Sequence, residues 1–200
     1  MSITEALQRA VEAIPEGEPF VPAQFLTIAS RASTDQALSR MHKAGRISRI
    51  SRGVYVRPKK NKYVGEVLPG PHVVAAILAK AEGAKIQVHG AEAARQLGLT
   101  TQVPTQPTYY TSGRSRQLNL GQMRLRLKHA STRKMMLAER PAGLALAALR
   151  HLGKSNVTPE VIERVREKLP AKEFAALQAA SLAMPAWLAE ALNSGTRARA

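Results

Sequence analysis

The sequence predicts an α+β protein in two parts, on three observations. Apolar residues recur at helical spacing over residues 3–44 and again from Pro141 onward. Short apolar runs punctuated by glycine turns fill 46–57 and 108–129. A hydrophobic content of 44% over 200 residues is ample for packed cores. The expected boundary follows Lys62, giving one domain at 1–62 and a mixed α/β domain at 63–200 that ends in a helical segment.

In the first part, Ile3, Leu7, Ala10, Val11 and Ile14 share one helical face, which Pro15 closes. A second short helix is expected from Pro22, a residue suited to a first turn, with Phe25, Leu26 and Ala29 as its apolar face. A third follows in SRASTDQALSRMHKAG. Ser33 with Gln36 three residues on forms a capping-box pattern, Ala37, Leu38, Met41 and Ala44 make a narrow apolar stripe, and Gly45 ends the helix. Arg46–Ile50 and Val54–Arg57 then pair as strands around Ser51, Arg52 and Gly53. Ile47 and Ile50 are three apart, so either Ile47 packs under the helix end or the strand carries a bulge. Three helices and a hairpin in this order are those of a winged helix-turn-helix, whose third helix enters the DNA major groove while the hairpin straddles the neighbouring backbone. Residues 57–62 are expected to leave the hairpin as a linker.

The second part opens with a helix from Pro71 to Gly83, faced by Val73, Val74, Ile77, Leu78 and Ala81. A strand at Lys85–Val88, a short helix at Ala91–Leu97 and strands at Thr108–Thr111 and Gln117–Leu120 follow. Met123–His129 alternates, with Met123, Leu125, Leu127 and His129 on one side and Arg124, Arg126 and Lys128 on the other. That is a half-buried antiparallel strand with a basic outer face. Four helices, each headed by a proline, start at Pro141, Pro159, Pro170 and Pro185, and Ser194–Ala200 is expected to fray.

Charge points to the partner. The formal net charge is +16, and residues 40–62 hold nine Lys or Arg and no acid. Such a balance favours polyanions, nucleic acid first and an anionic membrane second. No apolar run approaches a spanning helix, the chain has no cysteine, and the start lacks an export pattern, so a cytoplasmic protein without a membrane partner is expected. On the third helix, Ser33, Thr34, Gln36 and Arg40 are placed to meet base edges; Arg31, Lys43, Arg49, Arg52 and Arg57 are placed to clamp phosphates, with minor-groove entry the alternative for Arg52 at the hairpin tip. Arg114, Arg116, Arg124, Arg126 and Lys128 form a secondary basic surface.

Catalysis finds little support. Asp35 is the sole aspartate, and the five histidines show no metal-ligand spacing. No phosphate-binding loop or nucleophile elbow is present, so neither an enzyme nor a cofactor is expected. Two other function classes stand beside DNA binding. One is an RNA-binding or ribosome-associated module, against which an aromatic content of only 4% counts. The other is a hydrolase or transferase centred on His89 or His129.

The stretch RASTDQALSRMHKAGRISRISRGVYVRP resembles the N-terminal winged helix of AbiEi-like antitoxins. VHGAEAARQLGLTTQVPTQPTYYTSGRSRQLNLGQMRLRLKHAS resembles the start of their C-terminal domain. The resemblance covers Phe25 to Ser131. It implies a bacterial type IV toxin–antitoxin module, in which this chain represses its own operon by binding double-stranded operator DNA. It further implies that the chain counteracts a nucleotidyltransferase-like toxin without a stable complex. Under it Ser33, Thr34, Gln36 and Arg40 inherit base reading and Arg49, Arg52 and Arg57 the wing contacts.

Overall fold

The computed structural model describes residues 2–63 and 65–197, and its elements form a mixed α+β fold. In chain order they are α1 (Ile3–Glu12), β1 (Pro19–Phe20), α2 (Arg31–Lys43), β2 (Ser48–Ser51), β3 (Val54–Val56), β4 (Lys60–Asn61), β5 (Gly65–Glu66) and α3 (Pro71–Ala81). There follow β6 (Ile86–Val88), α4 (Gly90–Gln96), β7 (Thr108–Thr111), β8 (Arg116–Leu120), β9 (Met123–His129), α5 (Pro141–Leu152), α6 (Pro159–Lys168), α7 (Ala171–Ala179) and α8 (Ala186–Arg197). Two compact units divide the chain. One is Met1–Ala84 with Arg116–Arg126, the other Lys85–Ser115 with Leu127–Ala200. This division groups α3 and the β8–β9 turn with the N-terminal residues, whereas the sequence expectation ended its first domain at residue 62. Among the described residues no helix is long and apolar enough to cross a membrane.

In the first unit α1 starts on a reciprocal cap. Ser2 Oγ accepts the Glu5 N–H at 3.2 Å, and the Glu5 carboxylate accepts the Ser2 N–H at 3.0 Å. The helix buries Leu7 and Val11 against Phe20, Phe25, Leu38, Met41, Ile47 and Tyr55. Each such large side chain taken from water contributes about 1.5–3 kcal/mol. Residues Pro22–Phe25 form a single 3-10 turn rather than an α-helix, and Leu26, expected on its apolar face, is exposed.

The cap of α2 sits earlier than expected. Ser30, not Ser33, is the N-cap, and its Oγ accepts the Ser33 N–H at 3.2 Å. Starting at Arg31 puts Thr34, Ala37, Leu38 and Met41 on one buried face. Both alternatives offered for Ile47 hold together: it lies in the core, and the β2–β3 register shifts between Arg49 and Ser51. The unforeseen β1 pairs with β3 on its other side, Phe20 opposite Tyr55, so that β3 is the centre of a three-stranded sheet. Residues expected as a linker instead supply β4, which pairs with β5. On α3 the buried face is Val74, Ala75, Leu78 and Ala79, and Val73 turns outward.

In the second unit β6 and β7 are antiparallel, with Gln87 opposite Tyr110. Strand β9 belongs to the first unit as far as Arg126 and to the second from Leu127; its expected alternation holds at its centre, Leu125 and Leu127 being buried, while Met123 and His129 at its ends are exposed. The helical core joins Ala93, Ala94 and Leu97 of α4 and its end to Leu146 and Leu149 of α5, Ile162 and Val165 of α6, Leu177 of α7 and Leu188 and Leu192 of α8. Pro141 and Pro159 open their helices as expected, and Pro170 is the N-cap of α7. Glu173 ties α7 to the start of α5: it pairs with Arg140 at 3.0 Å and accepts the Ala142 N–H. The Arg140 guanidinium holds the Glu173 carboxyl below its ordinary range. Of the end expected to fray, α8 continues to Arg197, and 198–200 lie outside the described residues.

Candidate nucleic-acid interface

Burial of Thr34, Ala37, Leu38 and Met41 decides what α2 presents to solvent. At 100° per residue, Ser33, Gln36, Arg40 and Lys43 fall within an arc of about 80°, with Ser33 at its edge about 40° from Ala37 and the other three farther from the buried face. Gln36, Arg40 and Lys43 are exposed and Ser33 is half-buried. Arg31 and Asp35 lie on a different arc and pair with each other at 2.9 Å. The pair removes the acid from the Gln36–Lys43 stripe, and it also occupies Arg31, which was expected as a phosphate clamp. His42 is used by the fold, its Nδ1 hydrogen-bonding to the Ile47 carbonyl at 3.1 Å.

Thr34 requires a correction. Expected to meet base edges, it is fully buried, and its hydroxyl has no hydrogen-bond partner among the described residues. A buried hydroxyl without a partner pays desolvation with nothing in return. Thr34→Val keeps the shape and removes the polar atom. It is expected to leave duplex binding unchanged and to raise stability by up to about 1 kcal/mol, measured by urea unfolding. A loss of binding with the fold intact would return Thr34 to the interface.

The hairpin after α2 carries Arg49 and Arg52, both exposed. Arg49 stands opposite Tyr55, and its guanidinium lies 6.0 Å from the Tyr55 ring centroid. That contact restricts its swing at an exposed site. Arg52 occupies the tip, where Gly53 takes φ 74° to reverse the chain. Arg46 was absent from the sequence-level candidates. It is exposed, and with Arg40 it lines a groove of about 170 Å³ floored by Ala37 and Met41 between α1 and α2. The signal for it was present, since Arg46 belongs to the same acid-free run.

Arg57 is the second correction. Its guanidinium turns away from the hairpin tip and donates to the carbonyls of Glu12 (2.7 Å) and Ile14 (2.5 Å). It closes the C-terminal end of α1 instead of facing a phosphate. The secondary cations divide between the units. Arg116, Arg124 and Arg126 belong to the first, Arg114 and Lys128 to the second. Arg116 is half-buried and pairs with Glu82 at 2.8 Å, whereas Arg114, Arg124, Arg126 and Lys128 are exposed.

The two histidines singled out for chemistry both hold backbone. His89 Nδ1 accepts the Ala91 N–H at 3.3 Å as the cap of α4, and its ring packs 4.8 Å from that of Tyr110. Burial first, then the charges of His151, Lys134 and Lys128, lower the His89 pKa and favour the neutral ring. His129 hydrogen-bonds through Nδ1 to the Gly113 carbonyl at 2.8 Å, and its N–H donates to Ser115 Oγ. Among the described residues no group of three or more His, Asp or Glu is placed to hold a metal ion.

Comparison with known proteins assigns most of the chain to a family. A family model described as "Family of unknown function (DUF6088)" matches residues 6–177. No curated protein matches the chain. A solved structure similar to it is that of the RV2827C protein from Mycobacterium tuberculosis, 16% identical, with a TM-score of 0.40 over 94% of this chain and 79% of that one.

Proposed function

This chain belongs to the DUF6088 family, and we propose that it is a sequence-specific DNA-binding repressor whose N-terminal residues work as a winged helix-turn-helix. The observation that carries the reading is the acid-free exposed stripe Gln36–Arg40–Lys43 on α2, followed directly by a hairpin with Arg49 on its strand and Arg52 at its tip. In this reading α2 lies in the major groove, where Gln36 addresses an adenine edge and Arg40 a guanine. Lys43, Arg46, Arg49 and Arg52 meet phosphates and set the register without reading sequence. The buried face of α2 and the Tyr55 contact of Arg49 hold the helix and that arginine before DNA arrives, which lowers the ordering cost of binding.

The resemblance to AbiEi-like antitoxins supports extending the proposal to an antitoxin that controls its own operon and opposes a nucleotidyltransferase-like toxin without forming a stable complex with it. A reading frame for such a toxin beside this one is the observation that bears on this half.

Binding of the full chain to the duplex upstream of its own gene, followed as a function of salt, tests the DNA reading. If about six phosphates are neutralised, log K falls with log salt at a slope of about −5. Arg49→Ala with Arg52→Ala is expected to weaken operator and unrelated duplex alike, and to make the slope shallower by about 2. Gln36→Ala is expected to cost about 1–3 kcal/mol on the operator and much less elsewhere. Parental affinity in both variants would sink the assignment. Tighter binding to a structured RNA than to any duplex at matched salt would move the interface to RNA.

A further inference from the structure

We propose that the β8–β9 turn with its flanking strands as far as Arg126 is a second DNA-contacting element of the N-terminal unit, laying Arg124 and Arg126 on the same duplex that α2 and the β2–β3 hairpin hold. The proposal rests on the DNA reading above and adds a surface that the winged-helix segment does not contain. Its first support is placement. Residues Arg116–Arg126 form one compact unit with Met1–Ala84, although more than fifty residues separate them from the β2–β3 hairpin. Within that unit β8 lies alongside β2, the strand that carries Arg49. Two further contacts fix the hairpin there. Arg116 pairs with Glu82 just past α3, and the Gly121 turn sits so close to Leu68 that an added Cβ would stand 3.0 Å from its Cδ1.

The second support is the composition of the outward face. Leu118, Leu120 and Leu125 are buried, so the pleat turns Gln117, Asn119, Arg124 and Arg126 to the other side, and all four are exposed. The stretch RQLNLGQMRLR contains no acid. Neither Arg124 nor Arg126 is paired with a carboxylate among the described residues, unlike Arg31, Arg57 and Arg116 of the same unit. Two arginines two residues apart on one strand face repel each other, and nothing within the hairpin offsets that repulsion. A polyanion laid across them does, while the amides of Gln117 and Asn119 add neutral donors to phosphate or sugar oxygens. Few aromatic side chains accompany them, which favours a duplex backbone over stacked single-strand bases.

The full chain with Arg124→Ala and Arg126→Ala, beside Arg124→Lys and Arg126→Lys, is compared with the parent by salt titration and hydroxyl-radical footprinting on the upstream duplex. Thermal unfolding serves as the check on folding. If two phosphate contacts are lost, affinity between 50 and 200 mM salt falls about twelvefold less steeply than for the parent, because each phosphate accounts for about a 3.5-fold change over that range. The footprint shortens at one end, and the lysine variant keeps both slope and footprint. A parent that binds the duplex, with slope and protected length unchanged in the alanine variant, overturns this proposal and leaves the winged-helix reading standing. A parent that binds no duplex overturns both.

Discussion

Gly143→Ala is expected to lose about 3 kcal/mol or more of stability, a large share of the roughly 5–15 kcal/mol that a domain has to lose. Gly143 lies in the first turn of α5 and is buried. A Cβ there would stand 2.0 Å from the Leu137 carbonyl oxygen, 2.6 Å from its carbon and 3.0 Å from Gln87 Oε1. The obstacle is backbone, and that backbone is held. Leu137 and Glu139 both take positive φ, 60° and 66°, the Glu139 N–H donates to Gln87 Oε1, and the Ile86 N–H donates to the Glu139 carboxylate. Relief would require moving a turn that is already strained and anchored at both ends. Urea unfolding of the full chain measures the effect. Gly70→Ala serves as the control, since Gly70 has φ −62° and nothing within 4 Å of an added Cβ, so its cost stays within about 1 kcal/mol. Equal midpoints for the two variants would mean that α5 and the turn before it do not approach this closely.

The sequence around Gly143, PAGLALAALRHL, reads as an ordinary proline-started helix, and the helix is there. What it conceals is the close approach, because the neighbour lies in a turn whose positive-φ residues, Leu137 and Glu139, are types that rarely adopt it. The same contrast runs through the chain. Pro141 and Pro159 mark helix starts because a missing N–H is harmless only in the first turn. The Leu125–Leu127 alternation marks a strand because a half-covered sheet demands it. By contrast, Ser30 and Ser33 are equally good caps three residues apart, and only the start at Ser30 turns Thr34 into the core. The two-residue β1 is too short for any period to show, and β4 with β5 hides in a run of lysines that looks like solvated linker. Local pattern was sufficient where one layer of packing sets it. It failed where two equivalent caps compete within one turn, where a strand is two residues long, and where a contact such as Phe20 against Tyr55 reaches across tens of residues.

Among the nine sites first assigned to DNA, Arg57 is the one whose loss is expected to cost most stability. One Nη1 donates to both Glu12 and Ile14 carbonyls, at the end of α1 where helix carbonyls lack internal partners and the macrodipole is negative. The backbone locks the same residue from the other side, as its carbonyl accepts the Gly17 N–H at 2.9 Å. Hydrogen bonds from a charged donor are worth about 1.5–3 kcal/mol where water is partly excluded, and the Arg57 side chain is 28% exposed. Arg57→Ala is therefore expected to lose about 2 kcal/mol, with Arg57→Lys recovering part of it because one ammonium still reaches one carbonyl. Below the unfolding midpoint, the salt slope of duplex binding should equal the parent's, since no phosphate contact is removed. In that respect Arg57→Ala should differ from the Arg49 and Arg52 pair, which shifts the slope and leaves stability alone. The opposite pattern, an unchanged midpoint with a slope shallower by about 1, would put Arg57 back on the DNA and leave the carbonyls of α1 to water. The acid-free run over residues 40–62 thus contains two kinds of cation, and only the side chain's route, not its charge, separates Arg57, which ties down the end of α1, from the exposed Arg46, Arg49 and Arg52.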